Sequence, residues 1–539
     1  MVSTKAHSLD IRTARWNHPD LIDTRDTPYG RITVRSLLSQ VSVFENDALC
    51  FETEGTSAEE FVHLAALQHP DPESVLILGG GAEGLINELQ KYAPRRIDYV
   101  ELNGAMLDMV LQHLPSVTVQ SMSADNVRTI IEDPRRFLES AGLYDLILVA
   151  MPEPMSGQTN RFYTREFFER CAKKLNAGGV LAFRLKSAEN LWTPQLRQRT
   201  AGIYQALKTA FAHITVLPGV TNIFAASNSP LPSGPDPLIS RLRHRAISAR
   251  LIIPEYIHYL YTNDRFARIH NILENEKVIT NSDNHPICYQ YALMIWLSKF
   301  YPVIAFVVLK PVTGNGLGFL LISGLTGLII AAVFIVVRGS DSLRRALIVA
   351  MAGFIGMVME TVLILHYQTK SGVLYRDIGL LLTAFMVGLA LGAWTVERWM
   401  SRFSGSGDRG RAADYHVKSH GKGTVHRRMG AWLLIGFSVL ILVVVIDIKT
   451  GIRTGIFSIA SMLAVTGFFV AGIFAHTSLH GIADQRRVVS ALYSADLIGG
   501  CIGSLVGALF MIPIFGLSIT SGLMIVLTLL CMIIITGGR

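Results

Sequence analysis

The stretch "SVLILGGGAEGLINELQKY" holds Gly79, Gly80, Gly81 and Gly84 between an apolar run and a helix-like pattern. Glycines in that place let a backbone bend sharply and approach a ligand, with a helix N-terminus beyond the bend. About 20 residues on, Glu101 closes the next apolar run in "RRIDYVELN"; a carboxylate there can accept hydrogen bonds from ribose hydroxyls. The pattern fits a nucleotide cradle, and alone it does not separate a nicotinamide dinucleotide from an adenosyl sulfonium. Asp133, in "RTIIEDPRRFLES", reads either as a cap for the helix after Pro134 or as a contact for adenine. A third apolar run, "LYDLILVAM", stops at Pro152 and enters a polar loop with Glu153, Gln158, Asn160, Arg161 and Tyr163. Chemistry in α/β proteins is done where a buried strand ends in such a loop. Here Ala150 stands at the strand end and Glu153 is the carboxylate of the loop, so Glu153 and Tyr163 are the catalytic candidates. Gln158, Asn160 and Arg161 read equally as substrate ligands or as ordinary loop polarity.

These residues need a frame. "VSVFENDALCFE" alternates on both sides of Asn46-Asp47, a tight-turn pair, and predicts a hairpin. "SAEEFVHLAALQ" predicts a helix with Ser57 as its N-cap. Strands then alternate with helices through "GGVLAFRL", which predicts a parallel, doubly wound sheet. The expected organisation is an N-terminal β-hairpin region over 1–70, a Rossmann-type α/β domain over 71–290, and an all-α membrane domain over 291–539.

The third part follows from composition. The 539-residue chain is 50% hydrophobic and only 17% charged, where a soluble protein carries about 25% charge. Runs 317–337, 346–365, 378–396, 430–446, 455–475, 497–515 and 517–536 approach or reach the length that spans about 30 Å of hydrocarbon. The last two are expected to form a tight hairpin at Pro513 and Gly516. Gly499, Gly503 and Gly507, like Gly388 and Gly392, suit close helix packing. Glu360 is the acidic residue within these runs, and faces the bundle as an ion path or as a structural hydrogen bond; Asp496 reads as an interfacial cap. Arginines at 338, 344, 345, 486 and 487, and the basic loop 398–428, mark loops one, three and five as cytoplasmic. An eighth crossing at 291–309 then keeps the first 300 residues inside, as an N-terminus without a signal-peptide core requires. His416, His420 and His426 read as solvated loop residues, so no metal is expected. The net charge of +8 is the loop pattern of a membrane protein and not a nucleic-acid surface. Five separated cysteines imply no disulfide framework.

The quoted stretches, together with "NRFYTREFFERCAKKLNAGGVLAF", "NSDNHPICYQYALMIWLSKF" and "GFIGMVMETVLILHYQ", resemble the membrane-fused spermidine synthase-like family, aminopropyltransferases with a methyltransferase-type Rossmann fold. The resemblance implies that Gly79, Gly80, Gly81, Gly84 and Glu101 hold S-adenosylmethionine or its decarboxylated form, with Asp133 at the adenine. It implies a small-molecule amine or a membrane-delivered acceptor, the lipid bilayer as partner, an inner-membrane location with the soluble part cytoplasmic, and room for a second membrane subunit. The departures are as informative. The synthases read GGGDGG where this chain has Ala82 and Glu83. Their Tyr-His-Glu group falls on Ser57, Ala58 and Glu59, and their strand-end Asp falls on Ala150. Aminopropyl transfer needs a base or carboxylate clamp for the amine, so the loop is an altered site. Two readings stay open: a transferase using an S-adenosylmethionine-type cofactor, and a non-catalytic nucleoside-binding sensor or transporter-like protein.

Overall fold

The computed structural model describes residues 2–38, 40–301, 341–372, 375–404, 419–451, 455–478 and 485–537. It divides into two compact units: Met1–Ser282 with Tyr291–Ile295, and Asp283–Gln290 with Trp296–Arg539.

The first unit opens on a helix, Val2–Asn17, which no apolar periodicity announced. Four antiparallel strands follow in sheet order: β1 (Leu21–Asp26), β2 (Arg31–Leu37), β3 (Gln40–Glu45) and β4 (Ala48–Glu52). Asn46 and Asp47 make the β3–β4 turn with φ of 50° and 63°, the left-handed pair that matches strand twist. The helix Ser57–Ala66 starts one residue off expectation: Thr56 is the cap position, without a side-chain cap, and Ser57 is the first helical residue.

The large sheet contains β5 (Ser74–Leu78), β6 (Arg96–Glu101), β7 (Val127–Ile131), β8 (Tyr144–Val149), β9 (Leu175–Lys186), β10 (His213–Leu217) and β11 (Thr221–Ser227), in the order β10-β11-β9-β8-β5-β6-β7. β5 to β9 are parallel, while β11 and β10 join antiparallel at the β9 edge. Both faces of the middle strands are covered, so Val75 to Leu78 and Leu146 to Val149 are all buried, as parallel strands between helices must be. From β5 the chain moves outward to β6 and β7, then returns to β8 and β9 on the other side. The reversal between β5 and β8 opens a crevice at the carboxyl ends, the place where open α/β sheets take ligands.

The second unit is helical. Asp341–Ser371, Arg376–Met400, Arg428–Thr450, Ile456–Ser478 and Ser490–Ile535 are long and apolar enough to cross a membrane, by length and composition. The expected run 317–337, the end of the run 291–309 beyond residue 301, and His416 lie outside the described residues, as do the side chains of His420, His426, Arg486 and Arg487. The glycine stripe packs as expected: a Cβ on Gly503 would stand 2.5 Å from the Phe354 carbonyl oxygen, and Gly499 lies against Ala350. Asp496 is not a cap. It lies inside the helix Gln485–Val506, with Oδ1 2.6 Å from where a Cβ on Gly353 would be. Glu360 is buried.

The expected hairpin at Pro513 and Gly516 forms: the chain turns back there, so that Gly503 before the turn and Cys531 after it both lie beside one stretch of the helix Asp341–Ser371, at Phe354 and Met351. A π-helical stretch, Gly507–Met511, leads into the helix Ile512–Gly537, and Gly516 departs with φ 78° and ψ 171°. Helix Gln485–Val506 packs on Asp341–Ser371, and Ile512–Gly537 packs on Ser419–Thr450. The break frees backbone carbonyls, and the segment Asp283–Gln290 meets them. Tyr289 Oη donates to Ala508 O at 3.0 Å, Gln290 Nε2 to Leu509 O at 2.8 Å, and the His285 ring bonds Pro513 O. Asn284 accepts from Leu517 N with its own carbonyl and from Ser518 N and Oγ with its side chain.

Candidate functional site

Strand register brings the site together. Leu78 pairs with Val100 on β6 and with Val149 on β8, and Val149 pairs with Phe183 on β9. One residue further along each strand, Glu101, Gly79, Ala150 and Arg184 form a row across the carboxyl edge at the switch point. Gly79 and Gly80 take φ of 73° and 70°, where a side chain would strain the backbone. A Cβ on Gly80 would stand 2.6 Å from Ala150 Cβ, and one on Gly81 would stand 2.6 Å from the Tyr99 ring. The bend is therefore bare and tightly backed by its own neighbours. Gly84 closes it ahead of the helix Leu85–Gln90, with Ala58 nearest.

Glu101 lies at the heart of the row. Its Oε2 accepts from Tyr99 Oη at 2.7 Å and its Oε1 from Asn103 N at 2.9 Å. Burial raises its carboxyl above the ordinary range, against those bonds. Burial, then Glu101, raises Glu45 on β3 in the same direction. Cys50 on β4 keeps an exposed surface, yet its thiol is pushed up to about 12, first by surrounding protein and then by Glu45, Glu83 and Glu101. Glu45, Glu83 and Glu101 thus gather about Cys50, and such acidic groups beside the bend fit a cationic adenosyl sulfonium with a ribose at Glu101.

The other expected residues are held elsewhere. Asp133 is an N-cap: Oδ1 accepts from Arg135 N at 2.9 Å and Arg136 N at 3.4 Å, and Oδ2 pairs with the fully buried Arg161. Asn160 and Arg161 are thus interior groups, not loop surface. Tyr163 is buried against Phe183, and its hydroxyl donates to Met151 O at 2.7 Å. It braces the loop from beneath. Glu153 accepts from Lys186 N and pairs with Arg199 Nη1 at 3.4 Å. Glu59 is buried and accepts three backbone amides, from Arg250, Leu251 and Ile252, so it anchors that segment.

Tyr99, Cys50, Glu45 and Arg184 escaped the sequence reading. Tyr99 was visible by period two, two residues before Glu101 on the same face. Arg184 was visible as the one charge inside "GGVLAFRL". Glu45 and Cys50 come from a separate sheet, and only the tertiary fold brings them near. Among the described residues, no cluster of three or more His, Cys, Asp or Glu assembles a metal site.

The spermine/spermidine synthase domain family matches residues 54–224, which include the whole row. A polyamine aminopropyltransferase of Korarchaeum cryptofilum is 32% identical over 133 residues, 23% of this chain and 41% of that protein. A polyamine aminopropyltransferase of Bacillus cereus is 30% identical over 232 residues, 42% of this chain and 74% of that protein. A crystal structure of spermidine synthase in complex with the transition-state analogue AdoDATO is 18% identical, at a TM-score of 0.41, over 47% of this chain and 88% of that one. With a relative at 30% identity matched over nearly three quarters of its length, and with the glycine bend and Glu101 inside the matched domain, the chain belongs to the spermidine synthase-like family.

Proposed function

We propose that the first unit binds an adenosyl sulfonium nucleotide at the glycine bend and Glu101, and transfers its alkyl arm to an acceptor. At family level that is aminopropyl transfer from decarboxylated S-adenosylmethionine to an amine. When bound, such a sulfonium supplies an activated carbon and a neutral thioether as leaving group. The residues of this chain do the rest. Tyr99 and Asn103 orient Glu101 toward ribose hydroxyls, the bare bend admits the arm, and Glu45 and Glu101 favour positive charge. The observation that carries the reading is the row Glu101–Gly79–Ala150 at the switch point, with Glu45 acting on Glu101 from β3.

The catalytic loop is altered. Ala150 offers no carboxylate to an incoming amine, and Glu153 is turned to Lys186 and Arg199. That observation favours the second reading, nucleoside binding without turnover. The helical unit anchors the protein in the inner membrane, with the first unit on the cytoplasmic side and the acceptor a small amine or a molecule delivered from the bilayer.

One experiment separates the readings. The detergent-solubilised protein is incubated with decarboxylated S-adenosylmethionine and a diamine, and release of methylthioadenosine is followed. Release supports transfer. Binding of methylthioadenosine without release supports the sensor, and Ala150→Asp is then expected to raise turnover by about 10² or more, the usual worth of a positioned base. Absence of any nucleoside binding defeats both.

A further inference from the structure

The last member of the row has no part in the reading above. Arg184 leaves β9 beside Ala150, and its side chain returns to the mouth of the bend. Its Nη2 pairs with Glu83, the residue just before Gly84, and its Nη1 donates to Ser57 Oγ at 2.9 Å. Its guanidinium lies 5.2 Å from the Phe61 ring centroid. The Glu83 partner oxygen in turn lies 3.1 Å from where a Cβ on Gly80 would be. The pair is largely withdrawn from solvent, at 19% and 8% side-chain exposure. A buried guanidinium–carboxylate pair therefore sits directly over the bend that the nucleotide's arm must cross. Ala82 and Ala150 add no charge there.

We propose that Arg184 makes this site select a sulfonium arm that ends in an amino acid, S-adenosylmethionine itself, over the decarboxylated arm. The proposal rests on the adenosyl reading above and narrows its ligand. An arm ending only in an ammonium meets a guanidinium at the mouth and finds Glu83 already engaged. Like charges placed together discriminate strongly. An α-amino acid end carries both signs. Its carboxylate takes the planar fork of Arg184, and its ammonium takes the carboxylate of Glu83, so one internal pair is exchanged for two across the ligand. Ser57 and Phe61 hold the guanidinium in place during that exchange.

The test is equilibrium binding to the full-length protein in detergent. Three ligands are used: methylthioadenosine, which lacks the charged arm, S-adenosylmethionine, and its decarboxylated form. The wild-type protein is expected to bind S-adenosylmethionine about tenfold or more tightly than the decarboxylated ligand. In Arg184→Gln that ratio collapses while methylthioadenosine affinity stays, and Arg184→Lys retains part of the preference. Equal or tighter wild-type binding of the decarboxylated ligand overturns the proposal. So does an Arg184→Gln variant with an unchanged ratio, or one that loses methylthioadenosine binding as well, which would make Arg184 a support of the fold. If wild type binds none of the three, the adenosyl reading itself has failed, and the methylthioadenosine arm distinguishes that outcome.

Discussion

Glu59 is a buried carboxylate bound by backbone amides. The family resemblance places it in the Tyr-His-Glu group of the synthases, and its carboxylate receives the amides of Arg250, Leu251 and Ile252. Burial raises its pKa, and the three amides outweigh burial, so the carboxyl is held below its ordinary 4.5. A depressed carboxyl contributes stability that is present above the unfolded-state value and is lost as pH falls through the folded-state value. Glu59→Gln is therefore expected to cost about 1–3 kcal/mol near neutral pH, the usual penalty for weakening bonds to buried amides. The variant should also lose part of the wild-type destabilisation below about pH 4.5, where its own titration no longer contributes. Thermal unfolding followed against pH checks both. A variant as stable as wild type at pH 7 would remove Glu59 from the anchoring of that segment. Asp133, Glu153 and Tyr163 are likewise bonded to neighbouring backbone and side chains.

At the scale of elements, the broken helix around Gly507 to Gly516 depends on groups outside it. A π-helical turn, a proline and a glycine release carbonyls that an apolar bundle cannot leave bare. Tyr289, Gln290 and His285 answer them from the short segment that begins the second unit. Tyr289→Phe and Gln290→Ala each leave one buried carbonyl unmet, and each is expected to lower stability by about 1–3 kcal/mol. The double variant should lose more than either single one, with the first unit's ligand affinity unchanged. Unfolding of the solubilised protein, read alongside methylthioadenosine binding, checks this. Unfolding curves that superimpose on wild type would mean that the freed carbonyls find other partners. The glycine stripe works differently: Gly499 and Gly503 remove side chains so that two helix backbones approach closely, which is how helices associate in lipid.

For the whole molecule, the proposal is a transferase-type first unit on the cytoplasmic side, in a chain whose second unit holds helices long and apolar enough to cross a membrane. Protease treatment of inside-out membrane vesicles should digest the first unit and leave the apolar helices. A first unit protected in such vesicles would place it on the opposite side. The two halves differ in what their sequences reveal. Apolar runs separated by basic loops carry the helical unit openly, because a bilayer demands about 20 apolar residues per crossing. Pro513 and Gly516 marked the hairpin in the sequence, but not the freed carbonyls, because the groups that meet them lie more than 200 residues earlier in the chain.

The sequence by itself determined the doubly wound sheet, the tight β3–β4 turn, the glycine bend and Glu101. Each of these is local: a period, a turn pair, or a motif placed directly after a strand. The tertiary structure decided which of the candidate residues share a site. Strand order put Gly79, Ala150 and Arg184 side by side although more than 30 residues separate each from the next in the chain. It buried Tyr163, Asn160 and Arg161, paired Arg161 with the Asp133 that the sequence already offered as a helix cap, and brought Glu45 and Cys50 from another sheet toward Glu101. Register and packing between distant segments settle such neighbours, and a linear pattern holds no record of a neighbour that arrives through a sheet edge.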